Sequence, residues 1–187
     1  MNLTAHDYRD ALAQFAERVD AVDDREWSAP TRCCPEWRVG DLVHHVADET
    51  AWVAPLLEGR EPDDAQAEAG RQAADDPAEH WTSAAGTARR AVDAGVPAGS
   101  VTLPSGRVDA DAYLAEVCCD TVIHTWDLAD ATGGDTRLPA ELVEACAQWF
   151  DAVEDEWRDN GLIGPPADVP AGADAQTALL ARFGRST

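Results

Sequence analysis

The stretch Asp109–Thr132, DADAYLAEVCCDTVIHTWDLADAT, decides how this chain is read. It predicts one helix that stops at Gly133-Gly134. Its inward face takes in Tyr113, Val117, Asp120 or Thr121, His124 and Leu128. An acid and a histidine thus stand four residues apart beside an apolar stripe. Residues i and i+4 stack on one helical face, roughly 5 to 6 Å apart at Cβ, so both side chains can converge on one point. A buried carboxylate is costly unless partnered, so an imidazole beside it signals an ion pair or a pair of metal ligands. The Asp-x-x-x-His spacing alone does not choose between them.

Working outward, residues 99–108 (GSVTLPSGRV) place β-branched side chains around Pro104-Ser105-Gly106, which reads as an extended segment and turn. Before it, Asp76-Pro77-Ala78-Glu79 carries helix-start signals and Trp81, Ala85, Ala88 and Val92 form one face, ending at Gly95 and Pro97. Residues 59–76 are polar and aperiodic and predict a long loop flanking a site. The stripe Val39, Leu42, Val43, Val46, Val53, Leu57 predicts a single helix ending near Gly59. Tyr8, Leu12, Phe15, Val19 and Val22 predict another from Ala5 to Val22. Downstream, Pro139 opens a helix with the stripe Leu142, Cys146, Trp149, Val153 and Trp157, and a Gly/Pro-rich tail leads to a short helix around Leu179, Leu180 and Phe183. Four long amphipathic helices among five or six predict an all-α bundle, a single domain over 1–187 without internal repeats.

On the helix from Val39, at 100° per residue, His45 falls about 105° from the centre of the apolar stripe, on the flank of Glu49 and Trp52, and His44 about 155° away. His45 is therefore expected at the core boundary, with His44 closer to solvent.

Composition narrows the chemistry. The 187 residues hold 36 acidic and 14 basic side chains, a formal net charge of -22, and every basic residue is arginine. Without lysine there is no Schiff base and no P-loop lysine. Only Arg89 and Arg90 are adjacent, so no basic patch suits nucleic acid or an anionic membrane. The acidic majority reads as a solvated surface. Five cysteines without C-x-x-C spacing make neither a disulfide framework nor a zinc knuckle and are expected as core filler. Cys34 and Cys119 lie near the site residues, but a nucleophilic role would need a depressed pKa. No run approaches the ~18 apolar residues of a membrane span, and Met1 to Asp10 is unlike a signal peptide, so a cytoplasmic protein is expected.

Two stretches then carry a resemblance. Cys34-Pro-Glu-Trp-Arg-Val-Gly-Asp-Leu-Val-His-His-Val46 and Asp120-Thr-Val-Ile-His-Thr-Trp-Asp-Leu-Ala129 resemble the actinobacterial mycothiol-dependent maleylpyruvate isomerase family, whose N-terminal metal-binding domain belongs to the DinB-like superfamily. Gly161 to Pro165 and Leu179 to Arg185 resemble the ending of its shorter members. Absence of lysine with abundant alanine and arginine, as GC-rich coding produces, fits that origin. The resemblance implies a DinB-like four-helix bundle with a divalent metal, usually zinc and sometimes nickel, held by His45, Asp120 and His124. Two imidazoles and one carboxylate leave a coordination position open for water or the thiolate of mycothiol. In the isomerase the thiol adds to a cis double bond, permits rotation and leaves the trans product. Two departures stand out: the isomerase carries Glu where this chain has Asp120, and it has a second, C-terminal domain that these 187 residues are not expected to include.

Glu49, Trp52 and Asp127 are candidates for the pocket or for support of the ligands, Asp127 by orienting a ligand histidine; the alternative for Asp127 is a capping or surface salt-bridge role with an arginine. Trp37 and Trp126 are expected as packing anchors. The expected function is a metal-dependent enzyme, an isomerase or thiol transferase, acting on a small molecule with a low-molecular-weight thiol. The alternatives are a non-catalytic bundle that binds a metal or small ligand in a stress or regulatory role, and a metal-free bundle in which Asp120 and His124 pair. A homodimer stays open.

Overall fold

In the computed structural model, which describes residues 3–187, a capping box starts the first helix, α1 (Ala5–Asp20). The Thr4 hydroxyl accepts the Asp7 N–H at 3.3 Å while the Asp7 carboxylate accepts the Thr4 N–H at 2.8 Å. The first two residues of the polar N-terminal stretch lie outside the described residues. After α1 come α2 (Val39–Ala51), α3 (Val53–Leu57), α4 (Pro62–Gly70) and α5 (Pro77–Ala94). An antiparallel hairpin follows, β1 (Ser100–Leu103) with β2 (Gly106–Asp109), in register from Ser100↔Asp109 to Leu103↔Gly106. Then come α6 (Ala110–Thr132), α7 (Ala140–Phe150), α8 (Glu154–Asp159) and α9 (Ala175–Arg182).

Helices α1, α2, α5 and α6 pack into the bundle, α1 and α2 each touching both α5 and α6. Their shared core includes Tyr8, Phe15, Leu42, Val46, Trp81 and Ile123, with the Phe15 and Trp81 rings edge-on at 4.6 Å. The hairpin runs directly into α6, where Asp109 accepts the N–H groups of Asp111 and Ala112 as N-cap. Gly133 closes the helix at φ 69, a left-handed conformation that glycine takes without a Cβ penalty. Every residue from Thr121 to Ala129 is buried, because α1, α2, α7 and the hairpin surround this helix. A helix covered on several sides has no polar face to spare, so the acid and histidine in its middle are carried inside.

Three expectations change. The helix expected to run from Val39 to Gly59 breaks at Trp52. Pro55 has no N–H to offer the Ala51 carbonyl, and that carbonyl instead accepts from Gln72 Nε2 at 3.2 Å in the interior. The stretch 59–76, expected as loop, contains α4: Pro62 sits in its first turn and its buried face is only Ala65 and Ala69, too weak a stripe to register as periodicity. The helix expected from Pro139 to Trp157 turns at residues 151–153, so that Trp157 folds back onto Trp149 and Phe150, at ring distances of 5.5 and 5.9 Å. Arg182 braces the turn through Asp151 and Glu154, and Phe150 stacks on Phe183 at 4.1 Å. Among the described residues, no helix is long and apolar enough to cross a membrane.

Candidate metal centre

His45 comes from α2, and Asp120 and His124 from successive turns of the neighbouring α6. One donor atom from each lies within 4.8 Å of the other two. The two imidazoles meet edge-on, their centroids 5.2 Å apart. Asp120 Oδ1 is 3.4 Å from His124 Nε2, while Asp120 Oδ2 is buried without a hydrogen-bond partner. An unpartnered buried oxygen costs about 1–3 kcal/mol, more when charged. Two imidazole nitrogens and a carboxylate oxygen with a lone pair to spare form a donor set that suits a divalent cation of the zinc type.

The far side of His124 is held more firmly. Its Nδ1 is 2.9 Å from Asp127 Oδ2, which orients the ring so that Nε2 faces Asp120. Asp127 is buried at 3% exposure, and its carboxylate also accepts from Arg185 Nε at 3.1 Å and Nη2 at 2.6 Å. Arg185 Nη1 donates to the Phe183 carbonyl. A buried carboxylate with two charged donors is a supported one.

Before the donors lies a cavity of about 430 Å³ with Trp37, Tyr113, Trp157 and Phe183 in its wall and Glu49 and Glu116 beside the donors. Burial alone lowers the His124 pKa, but the Asp120 carboxylate and the hydrogen bond to Asp127 outweigh it and raise it to about 10. Burial lowers that of His45, and the His124 charge adds to this. In the cavity, desolvation by burial together with the Asp120 and Glu116 charges pushes Glu49 up to about 7. Desolvation and Asp120 raise Glu116 as well. Burial also pushes the Cys33 and Cys34 thiols up, so neither is activated as a nucleophile.

The structure thus brings His45, Asp120 and His124 together, sets Glu49 at the cavity and puts Asp127 behind His124. Trp52 is elsewhere, lining a surface recess with Glu61 and Pro62. Trp126 is buried, and Trp37, half-buried, lies against the His45 ring at 4.9 Å and so touches the site as well as packing. His44 points to α5, its Nδ1 3.0 Å from that of His80. Three neighbours were missed. Glu116, one turn before Asp120, was available from the i−4 spacing. Cys33 makes a second donor group with His124 and Asp127, on the side that Asp127 and Arg185 already occupy. Arg185 has no local signal, because it reaches Asp127 across 58 residues of chain.

The family model described as the mycothiol maleylpyruvate isomerase N-terminal domain matches residues 8–129. Similar curated proteins include two uncharacterised ones from two strains of Mycobacterium tuberculosis, each 30% identical over 156 residues that make up 81% of this chain and 74% of theirs. Among solved structures, a crystal structure of a histidine-to-alanine mutant of the mycothiol-dependent maleylpyruvate isomerase superposes with a TM-score of 0.56 at 16% identity, over 84% of this chain and 70% of that one. At that identity the likeness concerns the fold.

Two outcomes follow for the metal-free protein. The fold favours imidazolium at His124, whose pKa rises from 6.5 to about 10. Its stabilisation is therefore complete below about pH 6.5 and lost as pH climbs through about 10. In chelator-treated protein the urea midpoint falls between about pH 7 and 10 further than in Asp120→Asn; equal falls would contradict this. Arg185→Gln strips one of two partners from a buried carboxylate and costs about 3 kcal/mol in urea unfolding, whereas a loss below about 0.5 kcal/mol would mean that the pair contributes little.

Proposed function

Because the chain belongs to the mycothiol maleylpyruvate isomerase N-terminal domain family, we propose that it is a metal-dependent enzyme that uses a low-molecular-weight thiol, mycothiol or a relative, for addition, transfer or isomerisation on a small molecule. The observation that carries this reading is the convergence of His45, Asp120 and His124, with one Asp120 oxygen buried and unpartnered, at the wall of a cavity of about 430 Å³. These three residues would hold the ion, zinc in first place and nickel in second. When bound, a divalent ion with an open position supplies Lewis acidity that lowers the pKa of a thiol there.

The chain's own residues do the rest. Asp127 fixes the orientation of His124, so that Nε2 and not Nδ1 faces the donors. Arg185 holds Asp127 in turn and keeps that carboxylate ionised in the interior: burial would raise its pKa, but His124 and Arg185 lower it below the ordinary value. Trp37 braces the His45 ring. The aromatic side chains Trp37, Tyr113, Trp157 and Phe183 give the donors an apolar flank, where polar contacts are less screened than in bulk water. Glu49, which lines the cavity and has its pKa pushed up to about 7, would take a proton from a thiol or return one to a product near neutral pH. Asp120 is one methylene shorter than the glutamate of the isomerase that this chain resembles, so its carboxylate reaches less far from α6 into the cavity.

Purified wild-type protein should contain about one zinc or nickel per chain by elemental mass spectrometry, and His124→Ala should contain little; equal contents in the two would sink the ligand assignment. In thermal-shift measurements, mycothiol should raise the melting temperature of metal-loaded protein and leave that of chelated protein unchanged. Saturation at about 100 times Kd corresponds to roughly 2.7 kcal/mol. A metal-loaded protein indifferent to the thiol would favour the non-catalytic metal-binding bundle.

A further inference from the structure

We infer that the cavity beside the candidate metal centre accepts an uncharged or cationic small molecule with an apolar body and rejects carboxylates, and that Glu49 and Glu116 set this choice. The inference deepens the proposed function and rests on it for the ion and the thiol.

Glu49 follows His45 by one turn of α2, and Glu116 precedes Asp120 by one turn of α6, so each ligand-bearing helix adds one further carboxyl to the same cavity. Among the described residues lining it, Arg185 is the one arginine. That guanidinium is committed through Nε and Nη2 to Asp127 and through Nη1 to the Phe183 carbonyl. The Arg185–Asp127 pair is neutral as a unit. The two charges of a divalent ion would be balanced by Asp120 and a thiolate, and without the ion Asp120 pairs with His124 at 3.4 Å, which in both cases leaves Glu49 and Glu116 as the residual charge that a second molecule meets.

A carboxylate entering this space would shed water against apolar walls such as Val117, Ile123 and Leu162 and find no uncommitted cation. It would also face like charge, which disfavours association. An amide or ammonium meets acceptors instead, and its apolar body meets Tyr113, Trp157 and Phe183. The raised pKa values of Glu49 and Glu116 agree with this, since the cavity already resists the negative charge it holds. At longer range the net charge of -22 repels anions before they arrive.

Calorimetric titration with three probes of similar size, phenethylammonium, phenylacetamide and phenylacetate, tests the inference at about pH 8, where carboxylates are ionised and the amine is protonated. It is run on chelated protein and on zinc-loaded protein whose open position is occupied by mercaptoethanol. The amide and the ammonium should bind at least about tenfold more tightly than the carboxylate, a difference of roughly 1.4 kcal/mol. In the Glu49→Gln/Glu116→Gln double variant the carboxylate should gain about tenfold, and Glu116→Gln alone should fall between. Phenylacetate binding as tightly as the amide, a double variant with the wild-type order, or no binding of amide and ammonium would each overturn the inference. Failure to load zinc with the charge order intact on chelated protein would instead remove the proposed function and leave this inference standing. Zinc uptake with a reversed order would do the opposite.

Discussion

The structure depends on one buried ion pair, Asp127 with Arg185. Asp127 lies in the part of α6 that other elements cover on several sides, and a carboxylate there is stable only if its oxygens are taken up by charged donors. One donor comes from its own helix, three residues back, and the other from the end of the chain. The requirement ties the C-terminal segment to the centre of the bundle. Further anchors hold α9: Arg182 pairs with Asp151 and Glu154, and Arg158 Nη2 donates to the Arg182 carbonyl at 2.6 Å.

The same pair sets the chemistry of the site. Because Asp127 takes Nδ1 of His124, the ring presents Nε2 to Asp120 and His45, and because Arg185 neutralises Asp127, the interior charge balances behind the histidine and not in front of it. In front, carboxyl groups outnumber cations, and desolvation together with the Asp120 charge raises the pKa values of both glutamates toward their neutral forms. The cavity thus resists further negative charge beside the three donors.

Local rules made much of the bundle legible. Asp109 and Gly133 bound α6 as caps whose geometry follows from neighbouring residues, and Asp76 and Gly95 do the same for α5. Where expectation and structure part, the cause is nonlocal or a weak stripe. Pro55 breaks a helix that continuous apolar periodicity had joined, and the freed carbonyl is satisfied by Gln72 from the turn after α4. Two alanines suffice to dock α4, a signal too small to see against polar neighbours. Trp52 shares a flank with His45 on a continuous helix, but α2 ends just before it and it turns to another recess.

The sequence by itself determined that helices would dominate, that an acid and a histidine would share one face of the longest of them, and that lysine chemistry was excluded, because spacing and composition are properties of the chain alone. The motif resemblance added His45 to Asp120 and His124 as a ligand set. Only the tertiary structure decided that these three converge, that one Asp120 oxygen is left unpartnered, and that Glu116 joins Glu49 at the cavity. It alone brought Arg185 to Asp127, since no local pattern encodes a contact across 58 residues. The reason is that charge pairing in a low-dielectric interior is set by which elements fold over a residue, and that is known only once the bundle is closed.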